Sequence, residues 1–256
     1  MSLQEKEALH AEIMITGVVQ GVGFRPFIYR IAVENGLVGY VQNRGDAGVK
    51  IEVEGSEGAI SKFLEDIKAK RPPLAKIYTL SVNRIPDSNR FSCFEIIGSS
   101  KVSEKPGSVI PVDVAICEEC VSELRNPSDR RFNYFFITCI NCGPRFTTIK
   151  GVPYDRSNTT LSDFPMCAKC RLEYINPGDR RFHAQTIACK DCGPRIFLTT
   201  SNGEELNCKN PISEAGRLID EGWILAVKGN GGFHIATSTL KTEPILRLRK
   251  VKHRRE

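Results

Sequence analysis

Residues 11–27 read AEIMITGVVQGVGFRPF. From Ala11 to Val19 apolar and polar side chains alternate, as in a strand with one buried face. Gln20-Gly21-Val22-Gly23-Phe24 then forms a turn, and Arg25-Pro26 opens a helix running to about Asn35-Gly36. Proline in the first turn and glycine just past the last are the expected start and stop signals. Working outward, Leu37–Asn43 and Val49–Glu54 read as two strands joined by the turn Arg44–Gly48. Ser56–Lys70 carries Ile60, Phe63, Leu64 and Ile67 at the spacing of an amphipathic helix. Ile77–Arg84 and Phe91–Ile97 read as the last strands. The order βαββαβ with a short final strand predicts a ferredoxin-like sandwich over residues 11–98, after a tail of residues 1–10.

The turn between the first strand and helix has a chemical meaning of its own. Glycines there let unpaired N–H groups gather at the positive end of a helix dipole, which makes an anion cradle. Arg25 sits at its mouth, with a fork of donors able to hold two phosphate oxygens. Gln20, Gly21, Val22, Gly23 and Phe24 would form the phosphate loop. The same pattern also fits a tight turn with a solvated arginine at a helix start.

A second signal is a cysteine array that occurs twice. Cys117-Glu-Glu-Cys120, eighteen residues and Cys139-Ile-Asn-Cys142 recur fifty residues later as Cys167-Ala-Lys-Cys170, eighteen residues and Cys189-Lys-Asp-Cys192. Each copy offers four thiolates in two C-x-x-C pairs, the count and spacing of a tetrahedral structural zinc site, so two zinc ions are expected. An iron–sulfur cluster or disulfides would also use four cysteines. The repeat extends further: Asn126–Phe132 (NPSDRRF) matches Asn176–Phe182 (NPGDRRF), and Cys142-Gly-Pro-Arg145 matches Cys192-Gly-Pro-Arg195. That is an internal duplication. Gly143 and Gly193 are expected at φ > 0, turning backbone N–H groups toward the sulfurs.

Composition sets the frame. At 256 residues and 41% hydrophobic content the chain can form packed cores. It lacks an apolar leader and an apolar run near the ~20 residues that span a bilayer, and so reads as soluble and cytosolic, with no membrane partner. Eight of ten cysteines fall in metal-type pairs, which fits a reducing compartment. Cys93 reads as core of an apolar strand, and Cys208 is left over. The net charge of +6 divides as −1 over residues 1–10, +1 over 11–98, +3 over 99–200 and +3 over 201–256. Two Zn²⁺ held by eight thiolates would turn the third value to about −1, which argues against a nucleic-acid surface there.

Gly17-Val-Val-Gln-Gly-Val-Gly-Phe-Arg25 and Gly39-Tyr-Val-Gln-Asn43 resemble the two signatures of acylphosphatases. The resemblance implies that Arg25 binds a phosphoryl group and that Asn43 positions the attacking water. Followed by the duplicated cysteines and by Pro153-Tyr-Asp-Arg156, Thr159-Thr160 and Arg180–Gln185, the whole resembles the HypF family, carbamoyltransferases of [NiFe]-hydrogenase maturation. This implies hydrolysis of carbamoyl phosphate and, later, ATP-dependent transfer of the carbamoyl group to a HypE-type partner, toward the cyanide ligands of the hydrogenase. The fold class is then α+β and multidomain: sandwich, a linker over 99–110, a zinc-binding region over 111–200, and from 201 an incomplete YrdC-like segment.

In that segment Ile212–Asp220 reads as a helix, Trp223–Val227 as a buried strand, Lys228–His234 as a glycine-rich turn and Thr242–Lys252 as a basic helix. Lys228, Gly229, Arg247, Arg249 and Lys250 would suit nucleotide phosphates, or be solvated helix charges. Any nucleic-acid binding would belong here. Since the sequence ends at Glu256, inside the basic stretch, carbamoyl-adenylate formation is not expected of it, and ATP belongs to the complete family member. His183, whose counterpart is Asn133, is expected to be structural, His234 to be packed, and His10 and His253 to carry no signal. The competing reading is a zinc-dependent module that binds nucleic acid or protein on a non-catalytic acylphosphatase-like scaffold.

Overall fold

The computed structural model describes residues 9–85, 89–100 and 112–253. Most of the expected 1–10 tail and 99–110 linker, and residues 254–256, lie outside them. The chain divides into two compact units, Met1–Gly193 and Pro194–Glu256.

In the first unit β1 (Leu9–Val18), α1 (Phe24–Glu34), β2 (Val38–Asn43), β3 (Val49–Gly55), α2 (Glu57–Ala69), β4 (Lys76–Ile85) and β5 (Phe94–Ile96) follow in order. The sheet order is β4-β1-β3-β2-β5. β1 pairs antiparallel with β3 and β4, as β2 does with β3, while β5 runs parallel to β2. This is the ferredoxin-like sandwich that the alternation implied. Ala11, Ile13 and Ile15 of β1 and Val49, Ile51 and Val53 of β3 meet Phe27, Ile28 and Ile31 of α1 and Ile60, Phe63 and Ile67 of α2 in one core. The opposite face is polar: Lys50 bridges Glu12 at 2.6 Å and Glu52 at 2.7 Å, and Tyr40 donates to Glu52. Ser56 caps α2 by accepting from Ala59 N–H.

Two expectations here need correction. Cys93 is exposed and precedes β5; its carbonyl accepts from Gly39 N–H, so the backbone joins the sheet edge while the thiol faces out. His10, taken as uninformative, is buried on β1, its Nε2 3.3 Å from Glu52 and its ring edge-on to Phe91.

The duplicated region builds two like modules. α3 (Glu118–Arg125) and α4 (Ala168–Ile175) begin immediately after Cys117 and Cys167. Asn133 and His183 occupy equivalent left-handed positions, φ 54° and 55°, and their N–H groups donate to the Leu124 and Tyr174 carbonyls. His183 is thus a backbone residue of the repeat, as expected.

In the second unit α5 (Pro211–Glu221) is capped by the Asn210 side chain and ends at Gly222, φ 97°. β6 (Leu225–Gly229) and β7 (Gly232–Ala236) form an antiparallel hairpin, and α6 (Thr242–Val251) follows. The stretch expected as a glycine-rich turn is therefore mostly strand. Only Asn230-Gly231 turns, the pair a two-residue hairpin loop favours. The apolar run Trp223–Val227 stands open: Trp223 is 57% exposed and Val227 43%.

Candidate functional site

β1 delivers the chain to the loop Gln20–Gly23, and Gly23, with φ 73°, ends it as the N-cap of α1. No side chain caps this helix and no acid lies in its first turn. The N–H groups of that turn and the dipole behind them favour an anion. The glutamine of the loop is structural, its Nε2 donating to the Gly45 carbonyl at 2.6 Å.

Arg25 is only 9% exposed, which removes the reading of a solvated arginine. Its Nη1 donates to Ser99 Oγ at 3.3 Å, and its Nη2 to Asp155 Oδ1 at 2.7 Å and the Tyr154 carbonyl at 3.4 Å. Asn43, at the end of β2, is buried beside it. With its amide assigned from these neighbours, the Asn43 oxygen accepts from Arg25 Nε at 3.1 Å and Nη2 at 3.2 Å. The two residues singled out from separate motifs thus form one hydrogen-bonded unit.

The other wall of the loop is built by the duplicated region. Arg145 Nε donates to the Gly21 carbonyl at 2.9 Å, and Tyr154 N–H lies 3.4 Å from Gln20 Oε1. A cavity of about 30 Å³ remains, lined by Gln20, Gly21, Arg25, Tyr154, His183 and Gln185. Burial, with Arg25 adding to it, pushes His183 down to about 4, so its imidazole is neutral.

Each set of four cysteines closes into a cage. In the first, Cys117–Cys139, Cys139–Cys142 and Cys142–Cys120 sulfurs are 3.7, 3.7 and 3.5 Å apart. In the second, Cys167–Cys189, Cys189–Cys192 and Cys192–Cys170 are 3.8, 3.8 and 3.6 Å apart. A tetrahedral ion with Zn–S bonds of about 2.3 Å places its sulfurs about 3.8 Å apart, so both cages are compatible with zinc. No disulfide forms. Backbone N–H groups that reach sulfur include those of Asn141 (to Cys139, 3.3 Å) and Cys170 (to Cys167, 3.5 Å).

The glycines therefore act differently from expectation. Gly143 does take φ 96°, but its N–H donates to the Val114 carbonyl. Gly193 is not at positive φ; a Cβ there would strike the Tyr134 hydroxyl and lie 2.6 Å from Ala188 Cβ, so close packing is what requires glycine.

Around the cages, the repeats exchange arginines. Arg130 Nη2 of the first repeat donates to Cys170 (3.3 Å) and Cys167 (3.5 Å) of the second, while Arg131 pairs with Glu173 at 2.5 Å. Reciprocally, Arg180 Nη2 donates to Cys120 at 3.0 Å, and Arg181 pairs with Glu123. Arg131 and Arg181 are almost wholly buried, and their Nε atoms donate to the Ala188 and Thr138 carbonyls, again across the repeats. Burial raises the Glu123 carboxyl, but its hydrogen bonds to Arg180 and Arg181 outweigh this and hold it down at about 2. Sequence reasoning missed these partners. The signal was present: Arg-Arg recurs at one offset in both repeats, and so does a glutamate three residues after Cys120 and Cys170.

In the second unit Lys228 lies on β6 with its ammonium 5.3 Å from the Phe233 ring centre. Arg247 donates to the Gly222 carbonyl at 2.6 Å, and Arg249 and Lys250 fall in the last turn of α6. Gly229 closes the hairpin opposite Gly232. Among the described residues no helix is long and apolar enough to cross a membrane.

Comparison with known proteins agrees with this geometry. The acylphosphatase family model matches residues 11–96, and the HypF finger model matches 116–149 and 166–199. A probable carbamoyltransferase HypF of Methanocaldococcus jannaschii is 50% identical over 94% of this chain, which covers 32% of that protein. An acylphosphatase of Thermotoga maritima is 46% identical over 28% of this chain and 78% of its own length. A full-length HypF crystallised with phosphate and nucleotide superposes with a TM-score of 0.91 at 41% identity, covering 99% of this chain and 32% of that one. The chain thus spans about a third of the length of its HypF relatives, and carries an acylphosphatase fold joined to two HypF fingers. It belongs to the HypF family.

Proposed function

We propose that this chain hydrolyses acyl phosphates at the Gln20–Arg25 loop, with carbamoyl phosphate as substrate and carbamate and inorganic phosphate as products. The observation that carries the reading is the Arg25–Asn43 unit at the uncapped start of α1. Arg25 and the loop N–H groups would hold the phosphoryl oxygens. Asn43, its amide oxygen committed to Arg25, has its NH₂ left to hold water. Water attacks phosphorus, the P–O bond to the carbamoyl oxygen breaks, carbamate leaves with the electron pair, and the proton of water passes to solvent. Such a reaction needs position and charge neutralisation more than a strong base.

The eight cage cysteines would hold two zinc ions in a structural role, since four sulfur ligands leave no open position for substrate. Residues 11–98 would form the hydrolytic domain, 111–200 the zinc region, and 201–256 the beginning of a nucleotide-binding part in which Lys228, Gly229, Arg247 and Lys250 face phosphates. In the longer proteins of the family the carbamate would be activated with ATP and passed to a HypE-type partner in the cytoplasm, toward hydrogenase cyanide. Phosphate release from carbamoyl and acetyl phosphate by the purified chain, with metal analysis, tests the reading. Turnover with two zinc ions per chain is expected; absence of turnover, with salt-sensitive binding of DNA or RNA, would replace it with the binding-module reading.

A further inference from the structure

Each nitrogen of the Arg25 fork already has a partner within the chain. Ser99 takes Nη1, Asn43 takes Nε, and Asp155 and the Tyr154 carbonyl share Nη2 with Asn43. Of these partners only Asp155 carries charge, at 2.7 Å, and both side chains are largely shielded, 10% and 23% exposed. Asp155 does not come from the sandwich. It lies between the two repeats, in a segment clamped by its neighbour: Arg156 donates to the Gln185, Ile187 and Phe164 carbonyls at 2.7–2.9 Å.

A dianionic phosphoryl group and a carboxylate cannot both sit against one guanidinium at a half-buried site without strong repulsion, because little water screens them. The cavity left beside Arg25, about 30 Å³, has room for a water or two but not for a phosphoryl group. We propose that Asp155 is a further residue of the acyl-phosphate site, an internal occupant of the phosphoryl seat that competes with substrate phosphate for Arg25. The finger region thereby sets the anion affinity of the sandwich. Binding of substrate exchanges one anion for another at Arg25 and moves the Tyr154–Asp155 segment off the loop. This rests on the hydrolytic reading for the identity of the seat, but concerns affinity rather than turnover.

The test is the dissociation constant of inorganic phosphate, measured by calorimetry on the full chain and on Asp155→Asn and Asp155→Ala, with zinc content as the check on folding. Removing an ionic competitor should tighten phosphate binding about tenfold in Asp155→Ala and less in Asp155→Asn, which keeps an uncharged acceptor. Arg25→Ala should lose binding with or without Asp155. Unchanged or weaker binding in both Asp155 variants overturns the proposal, weaker binding meaning that Asp155 only props the arginine. The two readings fail separately. Tightened phosphate binding with no acyl-phosphate turnover leaves competition standing without hydrolysis, and turnover with unaltered affinity does the reverse.

Discussion

The sandwich and the fingers of the first unit are built on opposite principles. Twenty buried apolar residues form one continuous core between the sheet and its two helices. The fingers have two clusters, of eight and five buried residues, and five of those thirteen are cage cysteines. Burial of aliphatic and aromatic side chains is enough to hold the first. Clusters as small as the second do not outweigh the entropy of ordering their loops, and the sulfur cages with their buried arginines must supply the difference. The sandwich therefore owes its stability to area, and the fingers to coordination and charge.

The sharpest way to break that contrast is to remove the metal. With a chelator under reducing conditions, the amides of residues 112–193 should lose protection against hydrogen exchange while those of β1–β4 keep theirs. Structural zinc contributes about 10–16 kcal/mol to folding in such modules, more than the whole stability of most domains. A sandwich that melted at the same chelator concentration would show that the two regions are one cooperative block.

The reciprocal experiment places a cavity in the sandwich. Phe63 is fully buried on α2, and Phe63→Ala should cost about 3–5 kcal/mol. Metal analysis of this variant should still find two zinc ions, because the cage cysteines belong to clusters separate from the sandwich core. Loss of zinc would mean that the fingers lean on the sheet for their shape.

The contrast also decides what was readable beforehand. A periodicity is local, so the strands, the helices and their order followed from the alternation around Ala11–Val19 and the helical spacing of Ile60, Phe63 and Ile67. Ligand spacing is nearly as local, and the eight cysteines closed as their C-x-x-C pairs implied. The residues that escaped act across long sequence separations. Asp155 reaches Arg25, and Arg130 and Arg180 serve the opposite repeat. No period marks such a contact, and only the shared offsets of the duplication hinted at the second. Trp223–Val227 shows the same limit: an apolar run says that a strand wants cover and not that the described chain provides it, and Trp223 stands 57% exposed.

Catalysis should follow the sandwich in its fold and the fingers in its tuning. Arg25→Ala is expected to lower kcat for acyl-phosphate hydrolysis by 10²–10³-fold, about 2.7–4 kcal/mol, as for other pre-aimed donors at a developing charge. Lysine should not restore it, because a point charge cannot serve Asn43 and a phosphoryl oxygen in one plane. Asn43→Ala should lower kcat with KM little changed. Steady-state kinetics on carbamoyl phosphate separates these outcomes, and wild-type rates in both variants would leave the sandwich as a scaffold.

The smallest effect tests how the fingers are joined. Because Arg180 donates to Cys120, and Arg130 to Cys170, each cage takes its outer hydrogen bonds from the other repeat. Two dispensable decorations would leave the sites independent. The buried Arg131–Glu173 and Arg181–Glu123 pairs argue otherwise, for they cross the repeats in the same sense and lie beside the same cysteines. Arg180→Ala should thus weaken metal at the Cys117 site, in the first repeat, by about 10–100-fold while sparing the Cys167 site beside which the arginine itself is encoded. Competition with a chromophoric chelator, in chains that keep only one cage intact by serine substitution, reads each site alone. Weakening confined to the repeat that contains the mutation would show that the exchange seen around the sulfurs does not govern their affinity.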